Sequence, residues 1–282
     1  MNDKKTVPLI KYGRSLVWHD EFNGNKINKE LWGFRRTMTC PIAVYDNSEK
    51  HARIEDGMLH MQVNECGDTY SLCEGINTRE TMLFKYGYLE MRAKPPFRHA
   101  AWPSFWMLAN TPFHDESIGW FAEIDIFEIF SSINSLGPNL HKWGNSGHEM
   151  LPGDENNPNR GYKFKNPENL NEEFHIYGFL WDKNKMSFFV DGECYFSTSI
   201  DDSSKFKSER YPDTRGFHEP MYIIINNEIF CDKHDWYPKG SPITKEDKMP
   251  IDYYIDWVRL YQDYETEQLI LGEELKKAYE NT

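Results

Sequence analysis

The sequence predicts an all-β domain, a β-jelly-roll sandwich of two curved antiparallel sheets with a concave cleft on one of them. Three observations lead there. Apolar and polar residues alternate with period two in many short runs, the pattern of half-buried strands. Turn signals separate the runs, among them Asp56-Gly57 and Asp191-Gly192, dipeptides favoured in two-residue hairpins. Tryptophans gather around one acidic strand, as along the wall of a cleft.

At 282 residues, with 39% hydrophobic and 15% aromatic side chains, the chain can fill one large core. We expect residues 15–262 to form that domain, with an extension over 1–14 and a tail over 263–282. In the tail, Leu269, Ile270 and Leu275 stand among charges as on a short amphipathic surface helix. No run approaches the ~18 apolar residues of a membrane span, and Met1-Asn2-Asp3-Lys4-Lys5-Thr6 lacks the apolar segment of a signal peptide. A net charge of −13 argues against nucleic acid, which needs a basic face; it also disfavours heavily sulfated polysaccharides unless a local basic patch reverses the field. The cysteines, Cys40, Cys66, Cys73, Cys194 and Cys231, are odd in number and lack CxxC spacing. Cys66 and Cys73 could close a short loop, and buried thiols are expected for most of the set.

In chain order, Ser15 to Gly24 and Ile27 to Trp32 read as an aromatic-anchored strand and turn, and Ala52 to Val63 as a hairpin about Asp56-Gly57. Period-two alternation runs from Tyr86 to Arg92, and Ala101-Trp-Pro-Ser-Phe-Trp-Met-Leu108 is a strand rich in indoles. The acidic strand and then Asn139 to Trp143 follow. Gly144 to Asn171, full of Gly, Pro, Asn and acids, reads as one long loop beside a cleft. Phe174–Asp182, Lys185–Val190 and Glu193–Phe196 form a meander. Pro220 to Phe230 turns from apolar to polar, as a strand leaving the core for a rim, and Ile251 to Tyr261 is the last strand.

The chemistry concentrates in Gly119-Trp-Phe-Ala-Glu-Ile-Asp-Ile-Phe-Glu-Ile-Phe130. An unpaired carboxylate on a buried strand is costly, and this run carries three. Glu123 and Asp125 share a face, while Glu128 falls one residue late. A β-bulge between Asp125 and Glu128 would bring it back. The row Glu123, Asp125, Glu128 then suits retaining glycoside hydrolysis, in which two carboxyl groups roughly 5–5.5 Å apart act as nucleophile and acid/base. A carboxylate between them raises the pKa of the acid/base and can hydrogen-bond the nucleophile.

Glu123-Ile-Asp125-Ile-Phe-Glu128 resembles the ExDxxE signature of glycoside hydrolase family 16 in its bulged, laminarinase- and agarase-like form. The likeness extends over roughly residues 15 to 262, through the Trp102–Trp106 strand, Asn139-Leu-His-Lys-Trp143, the Phe174-to-Gly192 meander and the closing Ile251-to-Tyr261 strand. It implies Glu123 as nucleophile, Glu128 as acid/base and Asp125 as their assistant. As candidates to touch sugar the resemblance gives Trp102, Trp106, Trp120, His141 and Trp143, and the residues themselves give Arg79, Asn226, Glu228 and Trp236, each with a packing or salt-bridge role as the alternative. It also implies that no cofactor is needed for catalysis, although relatives often hold a structural calcium at the position of Asp256. A monomer acting on polysaccharide as a secreted, periplasmic or cell-surface protein, with any signal peptide absent from this sequence, is the corresponding expectation. β-1,3-Glucan, mixed-linkage glucan, agar or porphyran and host β-galactans all remain open as substrates. A carbohydrate-binding relative without turnover is the alternative function. Trp120-Phe121 and the segment after Phe230 depart from the family pattern, which leaves the sugar unassigned.

Overall fold

The computed structural model describes residues 7–35, 42–151, 161–165, 167–231 and 242–280. Two antiparallel-rich sheets face each other across the core. The sheet that carries the acidic strand runs in the order Gly147–Met150, Ser135–Gly144, Trp120–Glu128, Ala101–Leu108, Tyr222–Ile229, Ile76–Asn77, Gly33–Phe34. We call it the site sheet. The back sheet runs from Glu193–Ser199 through Lys185–Val190, His175–Trp181, Gly87–Lys94, Ile251–Gln262, Met58–Cys66 and Thr69–Leu72 to Ala43–Tyr45, and Arg14–Asp20 also pairs with Ile251–Gln262. This is the jelly-roll sandwich that the alternation predicts.

Sequence explains the elements locally. Both Asp-Gly pairs adopt the left-handed geometry of a two-residue hairpin turn, with φ of 51° and 73° at Asp56 and Gly57 and of 51° and 82° at Asp191 and Gly192. The meander forms as expected, Tyr177 opposite Val190 and Ser187 opposite Ser197. In the opening motif, Trp32 donates from Nε1 to Asp20 Oδ2 at 2.9 Å and packs edge-on against Trp18, so this segment is an anchor for the back sheet.

Three expectations are corrected. The stretch after Gly144 is not one loop: Gly147–Met150 pairs with Ser135–Gly144, and Tyr162–Lys163 pairs with it further along. The tail begins as a strand, Gln268–Leu271 on Met82–Lys85, and only then becomes the helix Gly272–Glu280, because Ile270 finds a buried place beside Leu83. Cys66 and Cys73 are both free, Cys66 exposed and Cys73 buried; of the other described thiols, Cys231 is buried and Cys194 exposed. Cys40 lies outside the described residues.

Candidate active site

Glu123, Asp125 and Glu128 lie on one strand, and backbone register explains how spacings of two and three put them on one face. On the neighbouring Ala101–Leu108 strand, Leu108, Trp106 and Ser104 stand opposite them in regular alternation. Phe127 pairs with Phe105, so Ile126 is the residue left over. The other neighbour records the same slip, with Asp125 facing Asn139 and Glu128 facing Gly137. The bulge is favoured from the core side. Ile126 and Phe127 are both buried, and the Phe127 ring lies 4.5 Å from that of Tyr177 on the back sheet. Burying two consecutive apolar side chains there is what brings Glu128 round to its partners.

Three ring nitrogens then distinguish the carboxylates. Trp143 donates from Nε1 to Glu123 Oε2 at 3.1 Å, and His141 Nε2 stands 3.6 Å from Glu123 Oε1. The same His141 nitrogen lies 2.9 Å from Asp125 Oδ2. Glu128 receives one bond, from Trp102 Nε1 to Oε1 at 2.8 Å. Burial, with the neighbouring Asp125 charge, pushes Glu128 up to about 8. Glu123 is raised by burial and by Asp125, and Asp125 is raised by burial. Carboxyl groups this close cannot all ionise, so protons stay in the group at neutral pH. Glu123, with the Trp143 N–H on one oxygen and the His141 ring 3.6 Å from the other, is the site best able to hold the negative charge; Glu128, with one oxygen taken by Trp102, keeps the other for a proton. Glu123, Asp125 and His141 also bring one donor atom each within 4.8 Å of one another, but His141 is already hydrogen-bonded to Asp125 and the trio reads as an acid–base group.

The remaining predicted residues divide. Trp102 sits on the carboxylate face, half-buried, with its ring stacked on Phe230 at 5.2 Å. Trp143 is likewise half-buried beside Glu123. Trp106 is on the same face but is 9% exposed; it donates to Asn226 Oδ1 at 2.6 Å and lies under the Arg35 guanidinium at 4.8 Å. It is part of the floor, covered by Arg35, and not an open platform. Asn226 is thereby engaged. Glu228, opposite Trp102, is buried and accepts from the Tyr45 hydroxyl at 3.1 Å. Arg79 is exposed at the end of the sheet, 5.9 Å above the Tyr222 ring.

Trp120 is a correction. An odd offset from Glu123 turns it to the other face, where it is 2% exposed, packs on Phe217 and Tyr211 and lies beneath the Lys142 ammonium. It cannot meet a sugar in the cleft. Trp236 lies outside the described residues. Asp256 is on the back sheet and accepts from Arg92 Nη1 at 2.6 Å. A guanidinium already balances that carboxylate, so these residues fit a calcium ion poorly.

His148 is the site residue that the sequence reading missed. Its Nε2 lies 2.7 Å from His141 Nδ1, and its ring stacks on Trp143 at 3.8 Å and 15°. The signal was present in Gly144-Asn-Ser-Gly147, a two-residue turn in which the flanking glycines pair across the hairpin.

A two-sheet sandwich with a bulged carboxylate triad, held by two indole N–H groups and an imidazole ring, defines a jelly-roll domain of the glycoside hydrolase kind. The chain belongs to glycoside hydrolase family 16, since residues 17–263 match the family model described as Beta-porphyranase A-D, GH16 domain. It is 31% identical to the glucan endo-1,3-beta-glucosidase of Cryptopygus antarcticus, over 86% of this chain and 91% of that one. It is 23% identical to glucan endo-1,3-beta-glucosidase A1 of Niallia circulans over 92% of its own length, and spans 39% of that longer relative. A solved structure among endo-acting O-glycanases, which prominent members of the human gut microbiota express to initiate mucin breakdown, superposes with a TM-score of 0.70 at 24% identity, covering 97% of both chains; it shows the shared fold.

Proposed function

We propose that this chain is an endo-acting, retaining hydrolase of β-linked glycans, a β-glucan such as laminarin or a β-galactan. The observation that carries the reading is the bulge at Ile126, which gathers Glu123, Asp125 and Glu128 on one face with different N–H partners for the two glutamates. Glu123 attacks the anomeric carbon while the proton on Glu128 passes to the leaving oxygen, forming a covalent glycosyl-enzyme. Glu128, now a carboxylate, takes a proton from water, which displaces Glu123 and restores the original configuration. Asp125 keeps charge in the group balanced through both steps, aided by His141. Trp102 and Trp143 offer indole surface beside the reacting bond, suited to the apolar faces of sugar rings; a polymeric substrate supports a site of action outside the cytoplasm.

The family name and the relatives divide between galactan and glucan, so the test is a panel of laminarin, mixed-linkage glucan, agarose, porphyran and mucin-type glycans. A ladder of oligosaccharides with retained anomeric configuration by NMR is expected from at least one. Inverted products would sink the mechanism. An inert panel with tight oligosaccharide binding would establish the non-hydrolytic alternative.

A further inference from the structure

Beside the carboxylates, on the next two strands of the site sheet, two imidazoles connect the interior to solvent. Asp125 is buried, His141 is 8% exposed, and His148 is exposed at the edge of the site sheet. The contacts run without a break: Asp125 Oδ2 to His141 Nε2 at 2.9 Å, then His141 Nδ1 to His148 Nε2 at 2.7 Å. A bond between two imidazole nitrogens needs one donor and one acceptor, so the pair shares a single bridging proton and carries at most one positive charge. His148 is otherwise held for orientation. Its ring lies flat on Trp143, its carbonyl accepts from Arg210 at 3.4 Å, and its neighbour Glu149 accepts from the Ser208 hydroxyl at 2.7 Å. The charged groups around it are therefore His141, Glu149 and Arg210, with Asp125 and Glu123 reached through His141.

We propose that His148 is a positioning residue that decides which nitrogen of His141 carries hydrogen, and is the solvent end of a path by which the buried acids exchange a proton. In the outward direction the Asp125 O–H bond breaks as its proton passes to His141 Nε2. The His141 Nδ1 proton passes to His148 Nε2, and the His148 Nδ1 proton passes to water. One proton leaves, Asp125 gains one negative charge, and both rings end neutral in the opposite tautomer. The reverse sequence reloads the site. Such a path matters when a sugar lies over the carboxylates and closes the direct route to water. Its catalytic consequence rests on the hydrolase reading above; the pairing of the rings does not.

The test uses His148→Phe, which retains an aromatic ring over Trp143 but no nitrogen, and His148→Gln, whose amide can donate to His141 Nδ1. Histidine ¹⁵N NMR on the unliganded protein should report one dominant His141 tautomer in the wild type, a mixture in the Phe variant and a single tautomer again in the Gln variant. Unchanged His141 signals in the Phe variant would overturn the proposal. On a cleaved glycan, the Phe variant should lose roughly tenfold or more in kcat with little change in KM. The Gln variant should recover part of that loss and show an altered pH profile, because an amide orients but does not relay. Wild-type kcat and pH profile in the Phe variant would also overturn it. If the wild type cleaves no glycan, the hydrolase reading fails and the NMR result alone judges the imidazole pair.

Discussion

Trp102 donates its indole N–H to one oxygen of Glu128, from the residue directly before Pro103 on the adjacent strand. This contact distinguishes the two glutamates of the site: Glu128 is oriented by one neutral donor, whereas Glu123 has the Trp143 N–H at one oxygen and the His141 ring near the other. It also restrains a carboxyl group that burial has already pushed up to about 8, since a donor to the carboxylate favours the ionised form.

Replacing Trp102 with Phe should therefore move Glu128 further upward. The sign is fixed: the acid/base must be protonated for the first step, so the alkaline limb of kcat/KM shifts to higher pH in the variant. Loss of orientation should lower kcat by roughly tenfold. A pH–rate profile on any cleaved glycan measures both, and an alkaline limb that moved downward would contradict the assigned hydrogen bond.

Glu123→Gln should abolish hydrolysis while oligosaccharide binding persists, because the amide fills the same space without the negative charge that attacks carbon. Isothermal titration of the variant with a product oligosaccharide reads binding, and reducing-sugar release reads turnover. Normal turnover in this variant would rule out Glu123 as nucleophile.

The acids cost stability, and Glu128 gives that cost a pH dependence. Its folded pKa lies near 8, above its usual 4.5, so the unfolded chain releases the proton first and stability attributable to this group is lost as pH rises through that window. Glu128→Gln should accordingly be more stable than the wild type at pH 8, by about 1–3 kcal/mol. The advantage should vanish below about pH 4.5. Urea unfolding at the two pH values checks it, and a constant difference across the range would show that another group sets the dependence.

Lys142, between His141 and Trp143 in sequence, points to the opposite face and is fully buried. Its Nζ donates to the carbonyls of Phe206, Tyr211 and Asp213 at 2.8, 3.1 and 2.6 Å. It ties that segment to the back of the strand that carries the site histidine. Lys142→Met should cost about 2–4 kcal/mol by leaving buried carbonyls without their donor. Thermal unfolding would show the loss, and limited proteolysis should cut first near residues 206–213.

Much of the site was legible because strand parity is a strict rule. Glu128 falls out of step with Glu123 and Asp125, which required a bulge, and register places the extra residue at Ile126. The same parity separates Trp120 from the acids, yet the family resemblance drew it toward the cleft; its burial against Phe217 follows from the odd offset. His148 was hidden for a different reason. A four-residue edge strand of Gly, His, Glu and Met has too little alternation to stand out in a run of loop-like residues. Trp106 could not be resolved by pattern, since a shared face does not say whether Arg35 covers the ring.

The amino-acid sequence by itself determined the strands, their turns and the carboxylates that must share a face, because alternation and φ preferences are local properties of the chain. Only the tertiary structure decided which indole serves which glutamate, that Arg35 closes over Trp106 and that His148 stands behind His141. The indole and Arg35 contacts join strands and loops 20 or more residues apart and are set by sheet order and core packing, while the His141–His148 pair depends on the register of a short hairpin.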